Sequence, residues 1–379
     1  MRQRSEFIAR QGARVRIAVI GSGIGGLSCA RELLDWGDDP VVFEANDRVG
    51  GSCSSRQTAV GVFDDAAQFF PTTTDIASLV PQRQGEFAIV HAWTASDTWP
   101  EHDDDEDLIP ALTTIGLVGV PSVGALPAAI ARPLDVRLST PIRQVQRRGD
   151  DWILASDSGE IAESFAAVVL AIPAPLALPL AQHSALIGAA LAQVSYRSRW
   201  VLLVGTHRKI LLPAYREFQG SPVERVAAIH KKPGRVTTGA QRWFVEADSV
   251  WSERHAHEDP ETVADLLLAN FSAHARCPIG PVFSSARFWP NALTVNPAST
   301  PPGSLSLWDA QAKLGVCGDS VVASQISLVH RSGVDLAQKV ARQLQALDTH
   351  AAFASRLRSR PRLAMSDSET ELVVSSKLD

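Results

Sequence analysis

Short apolar runs recur along the chain, separated by polar stretches of uneven length. Val15, Ile17, Val19 and Ile20 make a β-branched run suited to a strand covered on both faces. Val41 to Phe43 give a second strand, and Leu27 to Trp36 between them have a helical composition. Val136 to Ile142 reads as one strand. Gln144 to Arg147 and Trp152 to Ala155 continue a β-rich region turned at Gly149-Asp150-Asp151. Ala166 to Pro173 (AAVVLAIP) is another buried-type strand. Leu180 to Val194 predicts a helix. Arg199 to Gly205, Val226 to His230 and Gln241 to Glu246 predict strands. Asp259-Pro260-Glu261 opens a helix over Glu261 to Ala273, because Asp caps and Pro fits a first helical turn. Leu314 to Val316 predicts a strand running into Gly318-Asp319, and a helix follows through Val334 to Leu344. From Thr349 the chain is polar and basic, and it ends in a Ser-rich stretch, Ser366 to Asp379, expected to be flexible.

Composition narrows the function classes. At 379 residues the chain suits one large or two interleaved domains, and 45% hydrophobic content is ample for a core. The net charge of −5, with no dominant basic tract, gives no electrostatic case for nucleic acid or an anionic membrane. No window reaches the run of about 18 apolar residues needed to span a bilayer. The opening residues, MRQRSEFIARQGAR, lack the apolar core of a secretory signal, so a soluble, cytoplasmic protein is expected. Cys29, Cys53, Cys277 and Cys317 are scattered and predict reduced thiols. Glu101 to Asp107 is an acidic run whose self-repulsion predicts a solvated loop. His255 and His257 have no third ligand nearby in sequence, and no metal site is expected. G-x-S-x-G, H-E-x-x-H and G-x-x-x-x-G-K-[ST] are all absent. The sequence leaves the oligomeric state open.

Chemistry concentrates between Val15 and Ser52. Gly21, Gly23 and Gly26 form a G-x-G-x-x-G between a strand and the Leu27 to Trp36 helix, and Ile24 within it is a further expected cofactor-binding residue. The first glycine permits a tight turn, the second lets a pyrophosphate approach the backbone, and the third lets helix and strand pack closely. The helix N-terminus offers unpaired N–H groups to the phosphates. Glu44, 23 positions after Gly21, ends the second strand, where a carboxylate can accept from ribose hydroxyls. These residues predict a dinucleotide site and leave NAD and FAD both open. Arg48, a cation able to offset phosphate charge, precedes Gly50-Gly51 and Ser52.

Glu44, Arg48 and Gly50-Gly51 together resemble the E-x-x-x-R-x-G-G of FAD-binding flavoproteins of the amine-oxidase superfamily. Val62-Phe63-Asp64-Asp65-Ala66-Ala67-Gln68-Phe69-Phe70 is similar to the F-D-x-G-A-Q-Y-F stretch of its renalase-like branch, with Ala66 in the place of a glycine. Gly119 to Leu126, the Ala166 to Pro175 strand and turn, Trp251 to His255, and Asp259 to Leu268 resemble further segments of that branch. The resemblance spans about residues 15 to 345. It implies an α/β fold with a discontinuous Rossmann-type FAD-binding domain (15–75, 132–175 and 305–348). It also implies a mixed α+β substrate domain (76–131 and 176–304), an N-terminal extension (1–14) and a polar tail (349–379).

The same resemblance implies an FAD-dependent oxidase that takes hydride from an amine or a dihydropyridine-like small molecule and reduces oxygen to hydrogen peroxide. By carry-over, Ile142 lies beside the adenine, Gly318 and Asp319 meet the ribityl chain or ribose, and Ser327 opens a helix near the flavin N1/O2 edge. Gln68, Phe69, Arg287 and Trp289 are the expected substrate-side residues. Three departures stand out. Ser52 occupies a position where many relatives have Arg, Pro290 follows an altered aromatic pattern, and Ile326-Ser327-Leu328-Val329 replaces the usual V-E-G-A. They keep two other readings open: redox-neutral mutase or isomerase chemistry, and a flavin-binding protein without a working catalytic site.

Overall fold

A βαβ unit begins the described chain. β1 (Arg16–Ile20) runs parallel to β2 (Asp39–Phe43), and α1 (Ile24–Asp35) crosses between them. The structure is a computed structural model that describes residues 14–74, 79, 89–96, 112–236 and 239–358. The expectations for residues 1–13, for Glu101 to Asp107 and for the Ser366 to Asp379 tail lie outside the described residues.

Two hairpins follow the βαβ unit: β3 (Ser55–Thr58) with β4 (Gly61–Asp64), and β5 (Val90–Ser96) with β6 (Leu112–Gly119). Next come α2 (Ala125–Ala131) and β7 (Asp135–Arg137). The antiparallel trio β8 (Ile142–Arg148), β9 (Asp151–Ser156) and β10 (Gly159–Phe165) leads into β11 (Ala167–Leu170). Near the far end, β17 (Leu307–Asp309), β18 (Leu314–Val316) and the long α7 (Ile326–Arg358) return to the first sheet. That sheet has the order β17-β18-β11-β1-β2-β7 and is parallel except for the β17 edge. Its inner strands read as continuous apolar runs because α7 and α1 cover one face, while β8, β9 and the small helices cover the other.

The middle of the chain builds a second, antiparallel sheet. Short helices α3 (Ala174–Ala177) and α4 (Ala185–Leu191) lead to β12 (Ser195–Thr206). After it come β13 (Tyr215–Glu217), β14 (Val223–Ala228), β15 (Gln241–Ala247), α5 (Ser249–Arg254), α6 (Pro260–His274) and β16 (Phe283–Asn296). The strand order is β13-β14-β15-β12-β16. α6 packs Val263, Leu267 and Phe271 against one face, on Trp200, Trp243 and Val245. The other face packs Val201, Leu203 and Phe244 on Phe63, Trp93 and Val118 from the first half of the chain. The molecule is thus a mixed α/β fold, a parallel Rossmann-like sheet joined to an antiparallel one.

Several element boundaries differ from the sequence-based expectation, each for a local reason. The expected single strand from Val136 to Ile142 is broken. Ser139 turns at φ 51° and the chain changes sheets between β7 and β8. The expected Leu180 to Val194 helix shortens to Ala185–Leu191, because Ser184 caps it by accepting from the Ile187 N–H at 3.2 Å. α7 starts at Ile326 and continues to Arg358, through the stretch expected to be a polar tail from Thr349. Pro290 sits inside β16, where the β12–β16 register shifts between Arg197 and Arg199; a proline has no N–H for the ladder. Among the described residues, no helix is long and apolar enough to cross a membrane.

Candidate cofactor and substrate site

The turn from β1 into α1 is shaped by glycines. Gly21 has φ 104°, and a Cβ there would lie 2.5 Å from the Ala171 carbonyl oxygen. A Cβ on Gly26 would collide with the Gly21 carbonyl oxygen, so this helix-to-turn approach excludes any side chain. Gly23 is different. It is extended (φ −66°, ψ 172°), and an added Cβ would meet nothing within 4 Å. It is the N-cap of α1 and has no side chain to cap with, so the first-turn N–H groups face open space beside Ile24.

A second glycine turn closes this space. Gly50 and Gly51 both have positive φ, 117° and 56°. The Gly50 N–H donates to the Ser22 carbonyl at 2.9 Å, and Gly23 and Gly50 form an isolated parallel bridge. On the third side, Gly318 (φ 97°) passes over α1 so closely that a Cβ on Gly25 would lie 3.0 Å from its Cα. The Gly318 N–H donates to the Ser332 hydroxyl at 2.9 Å. Two neighbouring backbone turns and a third from far along the sequence therefore converge on an uncapped helix N-terminus, an arrangement that fits an anionic pyrophosphate.

Glu44 stands beside this cradle, buried at the end of β2. One carboxylate oxygen accepts from the Ser22 N–H at 3.0 Å and its hydroxyl at 2.5 Å. The other accepts from the Asn46 N–H and side-chain amide at 2.8 and 2.6 Å. The two backbone N–H bonds aim the carboxylate. The side-chain hydroxyl and amide are the donors that a ribose diol would replace.

The other expected cofactor residues have varied surroundings. Ile142 is buried in the core shared by β1, β2 and β8. Ser52 is exposed, and its carbonyl accepts from the Ala67 N–H at 2.9 Å. Arg48 is engaged by Asp47 at 2.9 Å and by the Ser55 carbonyl at 3.4 Å, and it lies 3.9 Å from Asp65. Ser327 is in the first turn of α7, partly exposed, while the neighbouring Val329 reaches α1, where a Cβ on Gly25 would lie 3.3 Å from its methyl. Asp319 is partly exposed next to the Gly318 turn, and desolvation holds its carboxyl up at about 6.

On the substrate side, Phe69 packs edge-on against Tyr215 at 5.3 Å between ring centres and lies 6.3 Å from Trp93. Trp289 joins the same cluster, and the Arg287 guanidinium lies 4.3 Å over its ring centre. Gln68 faces elsewhere. Its side-chain oxygen accepts from Lys232 at 2.8 Å, and its amide nitrogen donates to the Asp64 and Ala66 carbonyls at 3.3 and 3.1 Å. It thus pins its own loop.

Sequence reasoning missed the centre of this pin. The Lys232 ammonium is fully buried and donates to Asp64 at 2.8 Å and to the Gln68 carbonyl at 2.7 Å. Arg235 donates to the same Asp64 oxygen at 2.9 Å, and the other Asp64 oxygen accepts from the Val123 N–H and the Ser55 hydroxyl. Burial opposes ionisation of Asp64, but the two cations outweigh it and its carboxyl falls to about 2. For Lys232 burial outweighs the attraction of Asp64, and the ammonium is pulled down to about 8. Both groups therefore remain ionised at neutral pH. Lys231-Lys232-Pro233-Gly234-Arg235 reads as a basic turn in sequence, and no spacing rule couples it to a carboxylate 168 positions earlier.

Comparison with known proteins agrees with this geometry. Residues 19–80 match the family model of an NAD(P)-binding Rossmann-like domain. The chain is 27% identical over 156 residues to the putative flavin-containing monoamine oxidase AofH of Mycobacterium tuberculosis (strain ATCC 25618 / H37Rv), covering 37% of this chain and 32% of that one. It is 51% identical over 47 residues to a lysine-specific histone demethylase 1B homolog of Caenorhabditis elegans, covering 12% of this chain and 6% of that one. The matched stretches thus span under a third of either relative's length. Two solved structures share the fold at a TM-score of 0.62. They are cyclohexylamine oxidase from Brevibacterium oxydans IH-35A (15% identity, 88% of this chain, 100% of that one) and a putative protoporphyrinogen oxidase from Exiguobacterium sp. 255-15 (12% identity, 87% and 99%). Residues 84–296, more than half of the chain, match the model of the flavin containing amine oxidoreductases, and the chain belongs to that family.

Proposed function

We propose that the protein binds FAD and works as an oxidase of the renalase-like kind, taking hydride from an amine or a dihydropyridine-like small molecule. One observation carries the cofactor assignment: the uncapped start of α1 opens at Gly23 between two glycine turns, with Glu44 fixed at its side. The residues present fit FAD. Gly21 to Gly26 and Gly50-Gly51 would hold the pyrophosphate, Glu44 a ribose, and Gly318-Asp319 the ribityl chain. Bound FAD supplies a two-electron acceptor that accepts hydride and passes the electrons to oxygen.

The protein's own part is binding, orientation and exclusion of water. Lys232 and Asp64 lock the loop carrying Gln68 and Phe69 against the antiparallel sheet. Phe69, Tyr215, Trp93 and Trp289 form an apolar wall, which excludes water from a reacting C–H. The F-D-D-A-A-Q-F-F stretch and the sequence around Trp251 and Asp259 support the renalase-like assignment. Redox-neutral chemistry is the second reading, because one fold of this kind serves such work as well and fold does not fix function.

Purified protein loaded with FAD, mixed anaerobically with amines and reduced nicotinamide isomers, is expected to lose its visible flavin absorbance. Readmitted oxygen is expected to restore the colour and yield peroxide. Product formation without oxygen uptake would replace the oxidase reading with the redox-neutral one. FAD-loaded protein that no such compound bleaches would overturn the oxidase reading.

A further inference from the structure

The turn between β3 and β4 lies over one end of the antiparallel sheet. β12 pairs Arg199 with Trp289 of β16 near its start and Gly205 with Phe283 near its finish. At the finish the turn comes so close that a Cβ on Gly205 would lie 2.7 Å from a Val60 methyl. Beside this contact, the turn and the chain between β14 and β15 flank a cavity of about 530 Å³. Val60, Pro121 and Val236 give it apolar walls, Arg235 and Arg242 give it charge, and the exposed His207 stands beside them. Among the described residues no Asp or Glu lines it, and none of its lining residues belongs to the nucleotide cradle.

The charges around this cavity do not balance. Lys232, Arg235 and Arg242 are only 3%, 7% and 3% exposed. The buried Asp64 carboxylate pairs with Lys232 and Arg235 at 2.8 and 2.9 Å. Arg242 makes no ion pair among the described residues. Its guanidinium donates to the Val60 carbonyl at 3.3 Å and to the Val236 carbonyl at 2.7 Å. Two of its five N–H donors are thus engaged, both by neutral oxygens, and its enclosed Nε–H has no partner. Burial pulls its pKa down, and Arg235 adds a repulsion larger than the attraction of Asp64.

Three interior cations facing one carboxylate are costly to bury, and an anion in the adjoining cavity would supply the missing charge. Guanidiniums suit carboxylate and phosphate oxygens above other anions. The volume lies within the roughly 300–1,000 Å³ of small-molecule sites, more than a bare ion fills, and the walls are apolar. We propose that this cavity binds a small anionic molecule, a carboxylate or phosphate on an apolar body, at a site separate from the flavin cradle. Arg235 lines the cavity and also holds Asp64, so the bound anion acts on the cluster that fixes the loop of Gln68 and Phe69. The site stands whether or not the flavin reacts as an oxidase.

Calorimetric titration tests the site independently of turnover. The full chain is loaded with FAD, so that the cradle is filled, and titrated with benzoate, phenyl phosphate and benzylamine. Benzoate or phenyl phosphate is expected to bind at least about tenfold more tightly than benzylamine. Tight benzoate supports a carboxylate ligand, and tight phenyl phosphate a phosphorylated one. Val236 is 67% exposed, so substitutions there put new groups on the cavity wall without opening the core. V236E supplies a carboxylate in place of the ligand's. It is expected to weaken the anion at least about tenfold and, without ligand, to melt higher than V236Q. V236Q is expected to bind as wild type does, and R242M to lose the preference for anions. Melting curves show whether any loss in R242M is only misfolding. Anion binding that is equal in V236E and V236Q overturns the site, as does benzylamine binding as tight as both anions. If the protein takes up no FAD, the cofactor reading fails, while V236E against V236Q in unloaded protein still decides whether the cavity holds an anion.

Discussion

The nucleotide cradle and the substrate-side wall are built in opposite ways. The cradle is made of backbone: Gly21, Gly23, Gly26, Gly50 and Gly51 lie within about thirty residues, and its one aimed side chain is Glu44. The wall is made of side chains from strands far apart in sequence. Asp64 of β4 meets Lys232 and Arg235 beyond β14, and Phe69 meets Tyr215 and Trp289. A cradle of turns tolerates change only where a side chain has room. A wall of paired charges tolerates only changes that keep the pairing.

The largest effect is expected in the wall. K232M removes one of two cations from a buried carboxylate and leaves both Gln68 oxygens without their donor. We expect a loss of about 3 kcal/mol of unfolding free energy in urea. The D64N/K232M double variant should lose more, because it leaves the buried Arg235 guanidinium without its carboxylate. Equal stability of K232M and wild type would show that the cluster does not tie the two halves together. The Asp64 contribution has a defined pH range. Its folded pKa of about 2 lies below the ordinary 3.8, so the stabilisation is complete above the ordinary value and is lost as the pH falls through about 2.

In the cradle, G26A forces a methyl against the Gly21 carbonyl oxygen. A loss of about 2 kcal/mol is expected, larger than the roughly 1 kcal/mol that alanine gains in an ordinary helix. A stabilised G26A would mean that α1 and the turn are not in contact.

An effect of similar size and opposite sign is expected at the junction of the two regions. Asp319 has its carboxyl raised to about 6 from the ordinary 3.8 by desolvation. A raised acid favours folding fully below its ordinary pKa and loses that benefit as the pH climbs through about 6. D319N should therefore stabilise the cofactor-free protein by about 2 kcal/mol at pH 8 and leave it unchanged at pH 4. It should also weaken FAD binding, because the amide is a poorer acceptor for the ribityl hydroxyls. An equal effect at both pH values would rule out titration as the cause.

The same contrast explains what could be read in the sequence. Glycines that must adopt positive φ or admit another backbone leave a local signature, so Gly21, Gly50 and Gly318 were legible. Many strands of the two sheets were legible from their apolar runs, but their ends were not, and β13, β16 and β17 carry no such run. Ser139 breaks an apolar stretch with a left-handed turn that its residue type does not announce. α7 runs on from Thr349 to Arg358, a stretch that the sequence reading assigned to the tail although Ala351, Ala352, Phe353, Ala354 and Leu357 suit a helix. Lys232 was invisible for a different reason. Its partner is chosen by how the two sheets dock, and docking leaves no spacing in the sequence. Gln68 was recognised from its motif, yet the atom that fixes its orientation is that unseen lysine.

The central claim is that the open space at Gly23 exists to admit a cofactor. Gly23 has ordinary extended dihedrals and free room around it, so G23V should fold within about 0.5 kcal/mol of wild type. Its side chain would occupy the place of the pyrophosphate. The deciding measurement is equilibrium titration of wild type and G23V with FAD, followed by visible absorbance. The account predicts one FAD per wild-type chain and an affinity in G23V lower by about a hundredfold or more, some 2.7 kcal/mol. Wild-type protein that takes up no FAD, or G23V that binds it as tightly as wild type, would contradict it.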